Sequence, residues 1–282
     1  MAKTKILYDN HNPKPENTDT PTPPEKPVKP AKKRSPLYWA ILLVKIGVAG
    51  LLLLIIGIFT FYMLVLKGFF GEIPSRVDLI AIKNPQASEV YTADGTLLGK
   101  YYIQNRSNVE YDQIAPHVTH ALLATEDARF FKHEGVDARS TFRVLIKSLI
   151  LGDKSAGGGS TISQQVVKNI YGRENHGMLS MPVNKTKEII IARRLEKVYG
   201  KKDIIALYLN TVSFGEQAYG IGTATKRFFD TTPAAISVED GATLVGMLKA
   251  PSYYSPRRHP DRAKIRRNTV LDQMAKYETI HE

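Results

Sequence analysis

The apolar run from Leu37 to Leu66 is the feature that most restricts how this chain can fold. About 20 apolar residues cross the hydrocarbon core of a bilayer, and this run is longer than that. Its single charge, Lys45, lies near one end, where the side chain can reach the interface. The run is too long for a signal peptide and leads into bulky residues from Phe61 onward, without a small-residue cleavage site. It therefore predicts a transmembrane helix at 37–66.

The segment before this helix, residues 1–36, is rich in Pro, Thr and Lys and has no apolar periodicity. Such a composition predicts a disordered tail. The basic cluster 32–34 beside a first span favours a cytoplasmic N-terminus and an extracytoplasmic remainder. Residues 68–282 hold 29 Lys and Arg against 23 Asp and Glu. That excess suits acidic membrane surfaces or anionic substrates, whereas nucleic acid is not expected as a partner. The absence of cysteine gives no evidence on the redox compartment.

The extracytoplasmic part divides into a linker, 67–110, and a globular domain, 111–282. In the linker, Asp94-Gly95 separates two short β-prone runs, which predicts a β-hairpin. Helical patterns dominate from Tyr111 onward, so the fold class is mainly α. The segment Thr141–Leu151 is apolar with two interspersed cations and is too short to cross a bilayer. It could lie in the membrane interface or form a buried core helix.

Glu126 and Asp127 stand among aromatic residues, with Phe130 and His133 close behind. A carboxylate held against apolar rings loses hydration, which raises its pKa towards the value that a general base needs. Glu126 is therefore the leading candidate for a catalytic base. A solvated helix face is the plainer interpretation of the same pair. For His133 a structural hydrogen bond is the favoured role.

A glycine-rich loop at Gly157–Gly159 runs into a helix whose start is marked by Thr161 and Gln164, spaced as a capping box. The unpaired N–H groups of such a junction suit a phosphate or pyrophosphate, and Lys168 one turn later adds charge. The pattern is not a Walker A loop, because no Gly-Lys-Ser/Thr follows at the required spacing. An ordinary capped loop is the alternative.

A second helix is predicted at Lys185–Tyr199, with Gly200 as its C-terminal stop. Glu188 lies near its start among Lys and Arg residues. Spacing alone favours surface ion pairs at three and four residues. A second active-site carboxylate, with cations ready for a phosphorylated substrate, is the sharper interpretation.

Together these segments resemble the peptidoglycan glycosyltransferase family, whose members polymerise lipid II alone or as the first catalytic domain of bifunctional penicillin-binding proteins. The resemblance covers roughly residues 110–275, and six groups of residues occur in the family's order. They are Glu126-Asp127 with Phe130, His133 and Gly135; Gly159 to Ile162 with Gln164-Gln165 and Lys168-Asn169; Lys185 with Glu188; Tyr208-Leu209-Asn210 with Gly215, Gly220 and Ile221; Ala250-Pro251-Ser252 with Tyr254 and Pro256; and Arg266-Arg267 with Val270-Leu271 and Met274.

The resemblance implies a lysozyme-like helical domain with a membrane-facing jaw, a place that Thr141–Leu151 would suit. It assigns Glu126 as the base and Glu188 as the second glutamate. The substrate-binding residues that it implies, or that follow from the motifs, are Ser160, Thr161, Gln164, Gln165, Lys168, Lys185, Arg193 and Asn210. The implied partners are lipid II, the growing glycan chain and membrane lipid, with other cell-wall synthesis proteins as candidates. No cofactor is required by the sequence, although Mg²⁺ or Mn²⁺ is a candidate.

Three positions depart from the family pattern: Asn184 replaces an arginine, Ala206 a glutamate, and Thr223-Ala224 an Ala-Ala pair. Asn184 matters most, because asparagine supplies neither the charge nor the forked donors of arginine at a pyrophosphate. Two rival functions follow. A lytic enzyme related to lysozyme would act on finished glycan without pyrophosphate contacts. A noncatalytic membrane-anchored scaffold would keep the fold without turnover, although both glutamates are retained.

Overall fold

A computed structural model describes residues 35–82, 88–94, 97–101, 108–150 and 159–277. Helix α1 spans Pro36–Leu66, one residue longer than the predicted span. Within the described residues it is the single helix long and apolar enough to cross a membrane. Its side chains are mostly exposed, but Val65 in the last turn is fully buried. The predicted disordered tail lies, up to residue 34, outside the described residues.

The linker contains a short helix, α2 at Arg76–Ile80, whose Ser75 cap and Asp78 form a capping box. Two antiparallel strands follow, β1 at Ser88–Tyr91 and β2 at Leu97–Tyr101. Val90 pairs with Gly99, and the register shifts between Val90 and Tyr91. These strands lie where the sequence places its hairpin, but the connecting Gly95 is outside the described residues. The division into a linker and a domain at residue 111 stays a prediction.

Eight further helices build the rest of the described chain, which confirms the mainly α fold class. They are α3 Pro116–Glu126, α4 Ala138–Ile150, α5 Ile162–Tyr171, α6 Ser180–Leu195, α7 Lys201–Thr211, α8 Ile221–Phe229, α9 Val238–Met247 and α10 Pro260–Lys276. Helix α3 packs on α9 and α10, and α5 packs on α6 and α7. Fully buried leucines from these groups, Leu122, Leu209 and Leu244, belong to one apolar core.

The boundaries of the second predicted helix are wrong at both ends. Helix α6 begins at Ser180 and ends at Leu195, so it starts five residues earlier than the pattern predicts. Gly200 does not end it, because this residue has extended backbone angles and forms the N-cap of α7. Its N–H donates to the Asp203 carboxylate at 3.1 Å. Gly200 thus begins a helix where the sequence pattern predicts the end of one.

Helix α4 occupies the predicted amphipathic segment, apart from Leu151, which lies outside the described residues. Phe142 and the basic residues Arg139 and Arg143 are exposed. The Thr141 hydroxyl donates to the Gly159 carbonyl at 3.3 Å. That contact ties α4 to the end of the glycine-rich loop, whose residues 151–158 are outside the described part of the chain.

Candidate active site

Glu126 is the last residue of α3, and its carboxylate is half-buried beside a cavity of about 420 Å³. We call this the Glu126 cavity; Arg129, Lys132, Arg143, Ser160 and Lys276 are among its lining residues. One carboxylate oxygen, Oε2, accepts a hydrogen bond from Gln165 Nε2 at 2.9 Å. The other faces no protein donor among the described hydrogen bonds. A carboxylate with a free oxygen at a cavity can accept a proton from a bound hydroxyl.

Asp127 is the C-cap of α3, where the chain leaves the helix. Its buried carboxylate accepts from His133 Nε2 at 3.0 Å and from the Ile162 backbone N–H at 3.1 Å. The acceptor therefore holds the His133 loop against the first turn of α5. The predicted structural hydrogen bond of His133 is present, and the two adjacent carboxylates have different roles.

Thr161 caps α5 as the sequence predicts. Its hydroxyl accepts from the Gln164 N–H, and the Gln164 side chain returns a bond to the Thr161 N–H. The same hydroxyl donates to the Gly135 carbonyl at 2.7 Å. Gly135 has φ +80°, and a Cβ there would lie 2.8 Å from the backbone of α6. Thr161 is thus buried where α5 meets the loop after α3 and α6. Its hydroxyl is engaged in hydrogen bonds within the protein.

A chain of hydrogen bonds reaches Glu126 from the core. The Tyr208 hydroxyl donates to Gln165 Oε1 at 3.2 Å, and this orients the amide so that its Nε2 faces Glu126. Tyr208 is fully buried. Burial, with a smaller contribution from the Glu126 charge, raises the pKa of Tyr208 well above its usual value, so the hydroxyl stays a donor. The sequence marks Tyr208 within its Tyr-Leu-Asn motif but does not assign it to the site.

A second cavity, of about 200 Å³, adjoins the first at Ser160. We call it the Lys168 cavity; it is lined by Ser160, Gln164, Gln165, Lys168, Arg173 and Glu188. Lys185 reaches its wall, where Nζ donates to Ser160 Oγ and Gln164 Oε1, both at 2.8 Å, and to Glu188 Oε2 at 3.2 Å. Lys168 lies exposed at the same cavity. Three cations therefore surround one buried carboxylate.

The pKa of Lys185 is lowered by burial, which disfavours its charged form. Glu188 opposes this shift, whereas the positive charges of Arg173 and Lys168 add to it. A site with such an excess of positive charge suits an anion with several oxygens. The predicted ion pair between Lys185 and Glu188 is present, although Glu188 is buried. Of the other cations near it in sequence, Lys187 pairs with Glu174 and Arg194 donates to the Pro74 carbonyl.

Arg173 is the residue of this site that the sequence did not indicate. It follows the C-cap glycine of α5, and its Nε and one terminal nitrogen bind Glu188 Oε1 at 2.9 and 2.8 Å. Asn184, by contrast, is buried away from the Lys168 cavity. Its amide bonds to the backbone of Glu174 and to the Ser180 carbonyl. A guanidinium thus reaches the site from the loop after α5, although position 184 has none.

Two predicted substrate-binding residues lie elsewhere. Arg193 is exposed at a shallow cavity of about 770 Å³ with Arg139 and Lys197, on another face of α6. Asn210 is buried and its amide pairs with the backbone N–H and carbonyl of Val109, at 3.0 and 2.8 Å. Side-chain direction on a helix depends on packing partners that spacing in sequence does not reveal. The cavity at Arg193 shares Arg129, Lys132 and Asp137 with the Glu126 cavity, so Arg193 lies next to the site, whereas Asn210 lies outside it. The other predicted residues line the two cavities or, like Lys185, contact their walls.

A divalent cation does not fit beside Glu188 as the side chains stand. Both of its carboxylate oxygens already accept bonds from cations, Arg173 and Lys185. Hard cations such as Mg²⁺ require oxygen ligands that are free to coordinate. Among the described residues, no group of three or more His, Asp or Glu is arranged to hold a metal.

Comparison with known proteins gives one family. The sequence model described as Transglycosylase matches residues 94–275. Penicillin-binding protein 1F of Bacillus subtilis is 39% identical over 188 residues, which cover 67% of this chain and 26% of that protein. Penicillin-binding protein 1A of Escherichia coli is 36% identical over 203 residues, or 72% of this chain and 23% of the relative.

The chain spans about a quarter of the length of these relatives. Among solved structures, penicillin-binding protein 1A from Haemophilus influenzae matches 70% of this chain and 19% of that one, with 21% sequence identity and a TM-score of 0.38. Glu126, Lys168, Arg173, Lys185 and Glu188 all lie within the matched residues 94–275.

Proposed function

The chain belongs to the transglycosylase family, and from this premise we propose that it is a peptidoglycan glycosyltransferase that polymerises lipid II into β-1,4-linked glycan. The observation that carries the proposal is the pair of adjoining cavities. One holds a half-buried carboxylate, Glu126, and the other a cluster of cations around Glu188. Ser160 lines both, so a base and an anion site stand side by side.

In the proposed reaction Glu126 removes the proton from the 4-hydroxyl of the acceptor sugar. The resulting oxygen attacks the anomeric carbon of the donor and forms the new glycosidic bond. The bond from that carbon to the pyrophosphate oxygen breaks, and undecaprenyl pyrophosphate leaves. Attack opposite the leaving group inverts the anomeric centre, which yields the β-linkage. A positioned base typically contributes about 10²- to 10⁴-fold to such a step.

Negative charge grows on the pyrophosphate as it departs, and the Lys168 cavity supports its stabilisation. Lys168 and Arg173 line it, and Lys185 contributes through its wall. Preorganised cations act most strongly where charge develops in the transition state. Glu188 binds both Lys185 and Arg173, so we assign it to hold these cations in place. Glu188 would then act through them.

The proposal includes membrane attachment through α1, with a cytoplasmic N-terminus and an extracytoplasmic catalytic domain. The length and apolarity of α1 support the first part, and the basic cluster 32–34 supports the orientation. A lipid-linked substrate remains in the bilayer, so an anchored enzyme meets it at a higher local concentration. Membrane lipid and the growing glycan chain are the corresponding partners.

The decisive experiment compares the parent chain, Glu126→Gln and a matched control, Glu239→Gln, on fluorescent lipid II in liposomes. Glu239 is exposed in the first turn of α9. Products are separated on a gel. We expect long glycan from the parent and from Glu239→Gln, and a loss of at least about 100-fold in Glu126→Gln, because amide nitrogen cannot accept the proton.

Either rival function would give a different result. A folded, membrane-inserted parent that makes no glycan would contradict the transferase and support a noncatalytic scaffold. Cleavage of preformed glycan into fragments, lost in Glu126→Gln, would indicate a lytic enzyme. Equal synthesis by the parent and by Glu126→Gln would remove Glu126 from the mechanism.

A further inference from the structure

The end of the connection between α5 and α6, together with the first two residues of α6, exposes large apolar side chains. We call residues 176–181 the Met178 loop. Met178 is 99% exposed, Met181 65% and Leu179 46%. Apolar side chains gathered in one exposed place mark a contact surface more often than chance exposure. The flexible thioethers of methionine suit an irregular or fluid partner.

The Met178 loop is attached to the chain where it leaves α1. The His176 ring lies edge-to-face on the Phe70 ring, with centroids 5.8 Å apart. Phe70 in turn contacts the ring of Phe61, in the last two turns of α1, at 5.9 Å. Three aromatic rings therefore connect the loop to the outer end of this helix.

Polar contacts hold the same junction from the other side. Lys187 on α6 pairs with Glu174 at 2.8 Å, and Glu174 also contacts His176 at 3.2 Å. Gly71 lies directly against this pair, because a Cβ there would be 2.9 Å from the Lys187 ammonium and 3.0 Å from the Glu174 carboxylate. The segment after α1 and the base of the Met178 loop are thus packed together.

The position of this junction determines what the loop can reach. Phe61 is five residues before the end of α1, which is about 8 Å of helix. The headgroup region on each side of a bilayer has about the same thickness. The exposed Phe69, at 72%, lies on the segment that follows. With α1 placed in the bilayer as proposed above, the junction that holds this loop lies at the level of the headgroup region.

We propose that the Met178 loop inserts the side chains of Met178, Leu179 and Met181 into the membrane interface as a second attachment point beside α1. The inference rests on the membrane placement of α1 proposed above and goes beyond the reaction itself. Continuity with the outer end of α1 selects the bilayer as the occupant over a second copy of the chain or another protein. Two points of attachment restrict how the domain can tilt on the membrane.

The chain contains no cysteine, so single labels can be placed without altering native thiols. We would introduce Met178→Cys, Leu53→Cys in the apolar part of α1, and Ile265→Cys, which is 69% exposed on α10. Each full-length variant carries an environment-sensitive fluorophore and is reconstituted in liposomes. Brominated lipid then tests contact with the bilayer, and iodide tests contact with water.

We expect brominated lipid to quench the labels at residues 178 and 53, and iodide to quench the label at 265. Quenching of residue 178 by iodide alone, with residue 53 still quenched by lipid, would overturn the inference while leaving the anchor intact. Failure at both 53 and 178 would overturn the anchor as well. Protection of residue 178 from both quenchers that grows with protein concentration would indicate self-association and overturn it. Glycan synthesis in detergent tests the reaction separately.

Discussion

At the residue scale, two hydrogen bonds connect the Tyr208 hydroxyl to the Glu126 carboxylate through Gln165. An amide can present either its oxygen or its nitrogen, and which one faces Glu126 depends on the partner of the other end. Because Tyr208 donates, Gln165 presents its nitrogen to Glu126. Tyr208 is therefore a positioning residue that acts on the base through Gln165.

Tyr208→Phe tests this role, since it removes the hydroxyl and leaves the buried ring. We expect kcat to fall about fivefold, which corresponds to a lost hydrogen bond of about 1 kcal/mol. The measurements are the rate of lipid II polymerisation and Tm. Tyr199→Phe is the matched control, because its hydroxyl donates to the Leu79 carbonyl at 2.9 Å, far in sequence from Glu126. Both variants should lose some stability. Equal kcat values would contradict a positioning role.

The lowered pKa of Lys185 predicts how the rate of polymerisation depends on pH. Its pKa is lowered by burial, so it loses its proton at a lower pH than an ordinary lysine, and positive charge leaves the site as pH rises. Lys185→Arg keeps its positive charge over the whole pH range, because a guanidinium does not lose its proton there. The alkaline decline of kcat should therefore move to higher pH in Lys185→Arg. A pH profile of polymerisation checks this. An unchanged alkaline limb would show that another group sets it.

At the scale of elements, the site depends on the junction of three parts: the loop after α3, the start of α5 and the last turn of α6. Two hydrogen bonds connect the loop after α3 to the start of α5. The Asp127 carboxylate accepts from the Ile162 N–H, and the Thr161 hydroxyl donates to the Gly135 carbonyl. Gly135 lies against α6 without room for a side chain. The position of Glu126 relative to the Lys168 cavity thus depends on how closely these elements approach.

Gly135→Ala should lower the stability of the protein by more than the cost of placing alanine at a positive φ, because the added Cβ also meets the α6 backbone. Gly177 provides the control, because it also has positive φ but would have no atom within 4 Å of its Cβ. The left-handed conformation costs alanine about 1 kcal/mol in both variants. Only Gly135→Ala also forces the α6 backbone to move. We expect a clearly larger fall in Tm, measured in detergent, for Gly135→Ala; equal falls would show that the junction yields without cost.

At the scale of the whole molecule, α1 has two separable roles. Most of it is exposed and suits a bilayer, whereas Val65 in the last turn is fully buried. Under the proposed membrane attachment, most of the helix is an anchor, and its last turn also packs against the rest of the chain. Truncation at two points can separate these roles.

A chain that begins at Thr60 keeps Val65, and a chain that begins at Lys67 loses it. The shorter chain also loses Phe61, whose ring contacts Phe70. Burial of one valine alone contributes about 2 kcal/mol, or roughly 5 °C in Tm for a domain of this size, so the fall should be at least this large. We expect Tm in detergent to fall only in the shorter chain. Both truncations should lose about 100-fold in rate on liposomal lipid II, because the anchor no longer raises the local concentration. An undiminished rate on liposomes would contradict the role of α1 as an anchor.

The features that depend on neighbours along the chain can be predicted from the sequence alone. The apolar run predicted α1 to within one residue, because length and hydropathy alone decide whether a helix suits a bilayer. Thr161 and Gln164 located the start of α5, because a capping box is completed within four residues. The motifs also selected the residues that line the Lys168 cavity, apart from Arg173, but not the cations Arg129, Lys132 and Lys276 of the Glu126 cavity.

The direction in which the site side chains point depends on contacts between elements that are far apart in the sequence, and it is visible in the tertiary structure alone. Gln165 meets Glu126 across 39 positions of sequence, and Arg173 meets Glu188 across 15. The Asn210 amide donates to the Val109 carbonyl, 101 positions away, and therefore does not face the site. Arg193 faces another cavity because α6 turns that face outward. Each outcome depends on which distant elements pack together, and packing energy is shared among many contacts that no local pattern encodes.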